Sequence, residues 1–158
     1  MKKFWGIALL FCLVLVSGCK QSGDDVVGDF KHVFPAEKWL RFNDNGNDIE
    51  SNYIIHEVDI EDTAAVYTIT LDFRYTPRIS ENNIPLVFSV ISPDGEESHV
   101  RPTLLINDKN RGLVSKVVYP VKYFKVPGTY KIRFFQKTTK MVIDGAVSTN
   151  VKVKKTGK

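Results

Sequence analysis

The sequence predicts an all-β protein: an antiparallel β-sandwich, immunoglobulin-like or jelly-roll-like, of about seven or eight strands that follow a cleaved signal peptide. Three observations predict it. Apolar and polar residues alternate over several short segments, turn signals recur about every ten residues, and no segment shows a 3.6-residue period. An up-and-down barrel is the alternative, and the irregular polar loop at residues 107–112 disfavours it.

The clearest strand covers residues 66–75, where every second residue is apolar and the residues between are mostly polar. The apolar set comprises Tyr67, Ile69, Leu71, Phe73 and Tyr75. This two-residue period and the β-branched and aromatic content are typical of a half-buried antiparallel strand. Residues 53–60 show the same alternation, so they predict a second strand.

Turn sequences divide the rest of the chain into further strands. The turn at residues 92–95, Ser-Pro-Asp-Gly, predicts a hairpin between a strand at 86–91 and a return strand at 97–105. Pro102 has no amide hydrogen, so the return strand should lie at a sheet edge or contain a bulge. Similar turns, at 126–129 and at Asp144 with Gly145, precede two more alternating segments.

The first 19 residues have the pattern of a bacterial lipoprotein signal. A basic start with two lysines precedes about a dozen apolar residues at 4–16, and Ser17, Gly18 and Cys19 follow. We expect cleavage between Gly18 and Cys19, with residues 1–18 removed. A lipid on the Cys19 thiol, and an acyl chain such as palmitate on its new amino group, would then anchor the protein in a membrane.

A transmembrane anchor is the alternative interpretation of this segment, but the apolar run is short of the roughly 20 residues that a span requires. Residues 19–30 are polar and contain glycine, which predicts a flexible tether, and residues 31–155 form the predicted sandwich. Asp24 and Asp25 resemble an acidic sorting signal for the cell surface. The expected location is the cell envelope, at the outer membrane, on either its periplasmic or its surface face.

Charge and cysteine content exclude several function classes. Loss of the two signal lysines lowers the net charge from +4 to +2, which gives no argument for nucleic acid binding. The lysines near the end of the chain predict a solvated strand edge. Cys12 leaves with the signal and Cys19 carries the lipid, so the exported domain has no disulfide, thiolate metal site or cysteine nucleophile.

No motif in the sequence predicts catalysis, a metal site or a cofactor. The three histidines lack metal-site spacing, and His56 fits a hydrogen-bonded core position. No serine outside the signal lies in a glycine-flanked elbow. The acids at residues 57–62 fit a solvated rim. The Asn- and Asp-rich segment 43–48 lacks the twelfth-position acid of a calcium loop and predicts a polar turn. We therefore expect a protein that is not an enzyme.

Aromatic residues raise the question of ligand contact. Most should be core residues. Trp39 precedes the first clear strand and is a candidate for contact with a partner or ligand, although core packing is the preferred interpretation for it too. Other envelope proteins are the expected partners, with a surface glycan as the alternative. A glycan-binding module predicts a flat row of two or three exposed aromatic rings.

The order of these features resembles the GldH family of gliding motility lipoproteins. The resemblance rests on the lipobox, the tether, an early Phe-Pro and Trp39, and a strand that ends near residue 75. The turns at 92–95 and 127–130 and the Asp144 turn before a basic last strand follow in the same order. It implies a lipid-anchored, non-enzymatic component of an envelope machinery, and it assigns a role only to Cys19.

Overall fold

A computed structural model describes residues 25–41 and 53–157, and within them it has eleven strands, β1 to β11, and one 3-10 turn. The strands are β1 (Asp25–Val33), β2 (Lys38–Leu40), β3 (Ile54–Ile60), β4 (Val66–Tyr75), β5 (Asn83–Ile91), β6 (Glu97–Val100), β7 (Thr103–Leu105), β8 (Leu113–Lys122), β9 (Gly128–Gln136), β10 (Val142–Asp144) and β11 (Ala146–Gly157). The 3-10 turn covers Pro35–Glu37. No helix in this part of the chain is long and apolar enough to cross a membrane.

Two antiparallel sheets form a sandwich, which confirms the predicted fold class. The first sheet has the order β1-β11-β4-β8, and the second has the order β3-β9-β5-β6, with β7 also paired to β5. The short strands β2 and β10 pair separately at one end. Eight strands remain when the three-residue strands β2, β7 and β10 are set aside, in agreement with the predicted number.

Alternation along the strands builds the core, as the sequence predicts. Tyr67, Ile69, Leu71 and Phe73 of β4 are buried, while the residues between them are exposed or half-buried. From the opposite sheet, Phe134 of β9 closes the core. Full burial of such an aromatic side chain contributes about 2–3 kcal/mol of hydrophobic stabilisation, and residues 25–41 and 53–157 contain no cysteine that could add a disulfide.

The predicted hairpin is present. β5 and β6 pair on either side of the 92–95 turn, with Ile91 opposite Glu97. Pro102 interrupts the return strand and separates β6 from β7, and its carbonyl accepts the amide hydrogen of Leu86 at 2.8 Å. Since β6 is an edge strand, the predicted edge position of the proline is confirmed.

The structure corrects the start of the domain. Strand β1 begins at Asp25 rather than after residue 30, because this segment pairs with β11 from Asp25 opposite Lys155 to Val33 opposite Ser148. Gly28, which suggested flexibility in the sequence, packs against the Phe30 ring, which a Cβ at this position would overlap. Strand β11 continues to Gly157, so the domain covers residues 25–157 rather than 31–155.

The structure also corrects the position of the basic last strand. β11 lies between β1 and β4 inside the first sheet and is not a strand edge. Its described lysines are half-buried. Lys152, on the outer face of that sheet, pairs with Asp72, and Lys155, near the end of the strand, pairs with Asp62. The prediction of a solvated strand edge from local composition is therefore wrong, because pairing of β1 with β11 places this segment inside the sheet.

Candidate functional site

The end of the sandwich that holds β2 and β10 contains Trp39, the candidate contact residue. Trp39 is only 2% exposed and stacks on Phe34, with 4.8 Å between ring centroids. Its ring also contacts Phe73 of the first sheet and Phe134 of the second. Trp39 therefore joins the two sheets as a core residue, in agreement with the preferred core interpretation, and its ring is not exposed for contact with a partner or ligand.

Backbone conformation in the preceding turn positions β2. Ala36 and Glu37 adopt positive φ angles of 52° and 55°, which cost about 1–2 kcal/mol for each non-glycine residue. Hydrogen bonds hold this turn: the Lys38 amide donates to the Pro35 carbonyl, and the Gly145 amide donates to the Glu37 carbonyl at 2.9 Å. The strained turn directs Trp39 inward and its neighbour Leu40 outward.

Two apolar side chains on β2 and just before β10 lie at the surface of this end. Leu40 is 48% exposed and Met141 is 56% exposed. They lie on paired segments of the chain, because Leu40 is opposite Val142 and the Arg41 amide donates to the Met141 carbonyl. We call Leu40 and Met141 the apolar tip. Any partner that approaches this end meets the apolar tip before it can meet Trp39.

His32 and His56 lie between β1 and β3, on the inner side of the sandwich. His56 stacks on Phe30 with 5.3 Å between ring centroids, so its predicted place on the inner face is confirmed. Its Nε2 atom has no hydrogen-bond partner in the described residues, contrary to the expectation of a hydrogen-bonded histidine. Burial, and then the charge of His32, hold the pKa of His56 below its usual 6.5.

The acidic rim that follows β3 makes local contacts. Asp59 accepts a hydrogen bond from the Thr129 hydroxyl at 2.6 Å, and Asp62 pairs with Lys155 at 2.6 Å. These contacts tie the rim to neighbouring strands, in agreement with a structural role. In the described ranges, no three His, Cys, Asp or Glu side chains lie together as metal ligands would.

A row of exposed aromatic rings is absent from the described part of the chain. There, Tyr123, at 63% exposure, is the single aromatic ring classed as exposed. The hypothesis that a row of exposed aromatic rings binds a glycan therefore has no support in these residues. Gly18, Cys19 and the Asn- and Asp-rich segment 43–48 lie outside the described residues.

A polar groove on the outer face of the first sheet went unrecognised in the sequence. The outer-face groove, as we call it, has a volume of about 180 Å³ and is lined by Lys31, Asp72, Arg74, Ser148, Asn150 and Lys152. Each of these residues lies on a strand in which buried and solvent-facing residues alternate. That alternation is the one local sequence signal that could have indicated an outward-facing position. Their convergence depends on β1-β11-β4 pairing, which joins distant parts of the chain.

Comparisons with known proteins assign no family. No family model matches the sequence, and no curated protein matches it. Among solved structures, the chain is similar to one described as the structure of infectious bursal disease virus Gt strain, with 10% sequence identity and a TM-score of 0.36. That match covers 82% of this chain and 30% of the viral chain, so this chain spans less than a third of its length.

Proposed function

We propose that this protein is a lipid-anchored component of the cell envelope, that it is not an enzyme, and that it acts through contacts with other envelope proteins. The observation that carries the proposal is the sequence Ser17-Gly18-Cys19 after a basic start and a short apolar run. The resemblance to gliding motility lipoproteins suggests the kind of machinery, and the outer membrane is the proposed site of anchoring.

The position of β1 determines which end of the domain a lipid on Cys19 would hold near the bilayer. Asp25 begins β1 and lies six residues after Cys19. A fully extended segment of this length spans about 20 Å, so the Asp25 end would stay within that distance of the lipid. The tether is thus shorter than residues 19–30 suggested, and the domain has little freedom to leave the surface.

The Trp39 end then faces away from the bilayer. β1 has nine residues, from Asp25 at one end of the sandwich to Val33 beside the β2 and β10 pair. At about 3.3 Å per residue, this strand separates the two ends by roughly 27 Å. The apolar tip is therefore the part of this end that we propose for contact with a protein partner.

Two measurements test the proposal. Mass spectrometry of the purified protein should find a mature chain that begins at Cys19 and carries a diacylglycerol on the thiol. Crosslinking in living cells, followed by affinity purification, should recover a fixed set of envelope proteins that is lost in the Cys19→Ala variant. An unmodified Cys19, or recovery of the same proteins without the lipid, would refute the anchoring proposal.

A pair of double variants tests the contact surface. Leu40→Ser with Met141→Ser should abolish recovery of the partners, because it removes both exposed apolar side chains of the tip. Val117→Ser with Val121→Ser is the matched control, since these valines are 50% and 55% exposed and lie on β8, which pairs with β4 and not with β2 or β10. Loss of partners in the control alone would assign the contact to the β8 edge instead.

A further inference from the structure

The outer-face groove brings charged side chains together on three adjacent strands. Lys31 of β1 is opposite Asn150 of β11, and Asn150 is opposite Asp72 of β4. In the next row, Ser148 is opposite Arg74. Neighbouring strands are about 4.8 Å apart and residues rise about 3.3 Å along a strand, so Lys31 and Arg74 stand roughly 12 Å apart on a diagonal across the sheet, and their long side chains border the space above β11.

The charges in the groove do not cancel. Asp72 accepts hydrogen bonds from the Ser115 hydroxyl at 2.5 Å and from Lys152 at 3.0 Å, so its carboxylate is already matched. Lys31 and Arg74 form no ion pair or hydrogen bond with any residue in 25–41 or 53–157. Two cationic side chains with their donors unused therefore border the groove.

Asn150 adds an unused acceptor to these donors. Its Oδ1 atom is almost inaccessible to solvent and has no hydrogen-bond partner in the described residues. Beside it, Ser148 is 2% exposed and forms the floor. An acceptor that is buried without a partner is unfavourable, and an oxyanion cannot satisfy it. A hydroxyl group can, because it donates a hydrogen bond.

We propose that the outer-face groove binds one residue of an acidic polysaccharide. The carboxylate or sulfate of the sugar contacts Lys31 and Arg74, and one of its hydroxyl groups donates to Asn150 Oδ1 when the Asn150 side chain turns this buried atom into the groove. The volume of about 180 Å³ is below the roughly 300 Å³ at which pockets for drug-sized ligands begin, which suits a single sugar ring. This site does not depend on the lipid anchor or on the apolar tip.

A sugar acid fits better than single-stranded nucleic acid, the other common polyanion. Binding of single strands combines cations with aromatic rings on which bases stack. The one exposed aromatic ring among the described residues, Tyr123, lies beyond the end of β8 rather than in the groove. The groove offers hydrogen bonds and charge, which are the contacts that an acidic sugar requires.

The first experiment is a calorimetric titration of the full chain in detergent with a galacturonic acid oligomer. We expect binding that weakens as salt is added, because the contacts are ionic. A neutral galactose oligomer should bind at least tenfold more weakly, since it lacks the charge-assisted hydrogen bonds. Equal binding of the two oligomers, or no binding of the acidic one, would overturn the proposal.

Variants locate the site. Lys31→Gln with Arg74→Gln should weaken binding of the acidic oligomer at least tenfold. Lys131→Gln with Arg101→Gln removes the same charges from exposed positions outside the groove, and it should leave binding within about twofold. Equal losses in both double variants would show a non-specific charge effect and would overturn the assignment.

Asn150→Ala separates a binding role from a structural one. It should weaken the acidic oligomer but leave inorganic sulfate binding unchanged, because sulfate has no hydroxyl group to donate to Oδ1. The urea midpoint of unfolding should stay the same or rise, since the variant removes an unpaired acceptor. A lower midpoint together with unchanged oligomer binding would show that Asn150 has only a structural role.

Discussion

Replacement of Gly145 by alanine tests how the Trp39 end is held together. Gly145 lies between β10 and β11 with φ of +81°, and its carbonyl accepts the Thr76 amide hydrogen at 2.8 Å. A Cβ at this position would lie 2.5 Å from the Ile79 nitrogen and 2.8 Å from the Arg78 carbonyl carbon. Both are backbone atoms, so a rotamer change cannot relieve the overlap.

The expected cost has two parts, and Gly95 provides a control for one of them. Gly95 has φ of +88° but no atom within 4 Å of an added Cβ, so Gly95→Ala should cost only the conformational term of about 1–2 kcal/mol. Gly145→Ala adds an overpacking term of about 1–3 kcal/mol. We expect a total of roughly 2–5 kcal/mol, about twice the cost in the control.

Urea unfolding of the two variants measures this difference. Trp39 fluorescence is a suitable signal in a chain that begins at Cys19, because Trp5, the other tryptophan in the sequence, lies in the proposed signal peptide. At about 3 °C per kcal/mol for a domain of this size, the melting temperature of Gly145→Ala should fall by roughly 10 °C. Equal destabilisation by Gly145→Ala and Gly95→Ala would refute the argument that backbone contact at residues 78 and 79 requires glycine.

Three further predictions concern stability. Trp39→Ala should lower the free energy of unfolding by about 3–5 kcal/mol, whereas Leu40→Ala should change it by less than about 1 kcal/mol, and circular dichroism during urea unfolding measures both. Burial lowers the pKa of His56, so as the pH falls the unfolded state binds a proton at this residue before the folded state does. The free energy of unfolding should therefore decrease below pH 6.5. His56→Gln should reduce the difference between the urea midpoints measured at pH 7.5 and pH 5.5. Burial raises the pKa of Asp72, but hydrogen bonds from Ser115 and Lys152 outweigh this effect, so the pKa is lowered. The ionised Asp72 therefore stabilises the fold above pH 3.8. Asp72→Asn should lower the free energy of unfolding by about 1 kcal/mol, measured by thermal unfolding at pH 7.

The sequence predicted the sandwich because its strands are half-buried. In residues 66–75 successive side chains point to opposite faces of the sheet, so buried and less buried residues alternate along the sequence. Turn residues such as those at 92–95 then set where strands end. Both signals are local, and this is why the fold class and most strand positions could be predicted without knowledge of strand pairing.

Features that depend on pairing could not be predicted in the same way. Asp25 begins a strand because β11 lies beside it, although the segment from Asp25 to Asp29 has the composition of a linker. Trp39 looked available because it precedes the first clear strand, yet both sheets close over it. The outer-face groove is a third case, since its residues come from β1, β4 and β11.

One pairing links these features and explains why they occur together. When β1 joins β11, it extends the first sheet by one strand and leaves little tether between Asp25 and Cys19. The same pairing places Lys31 across from Asn150 and completes the outer-face groove. Detachment of β1 would therefore lengthen the tether and dismantle the groove at once, so the reach of the proposed tether and the proposed sugar binding depend on the same set of backbone hydrogen bonds.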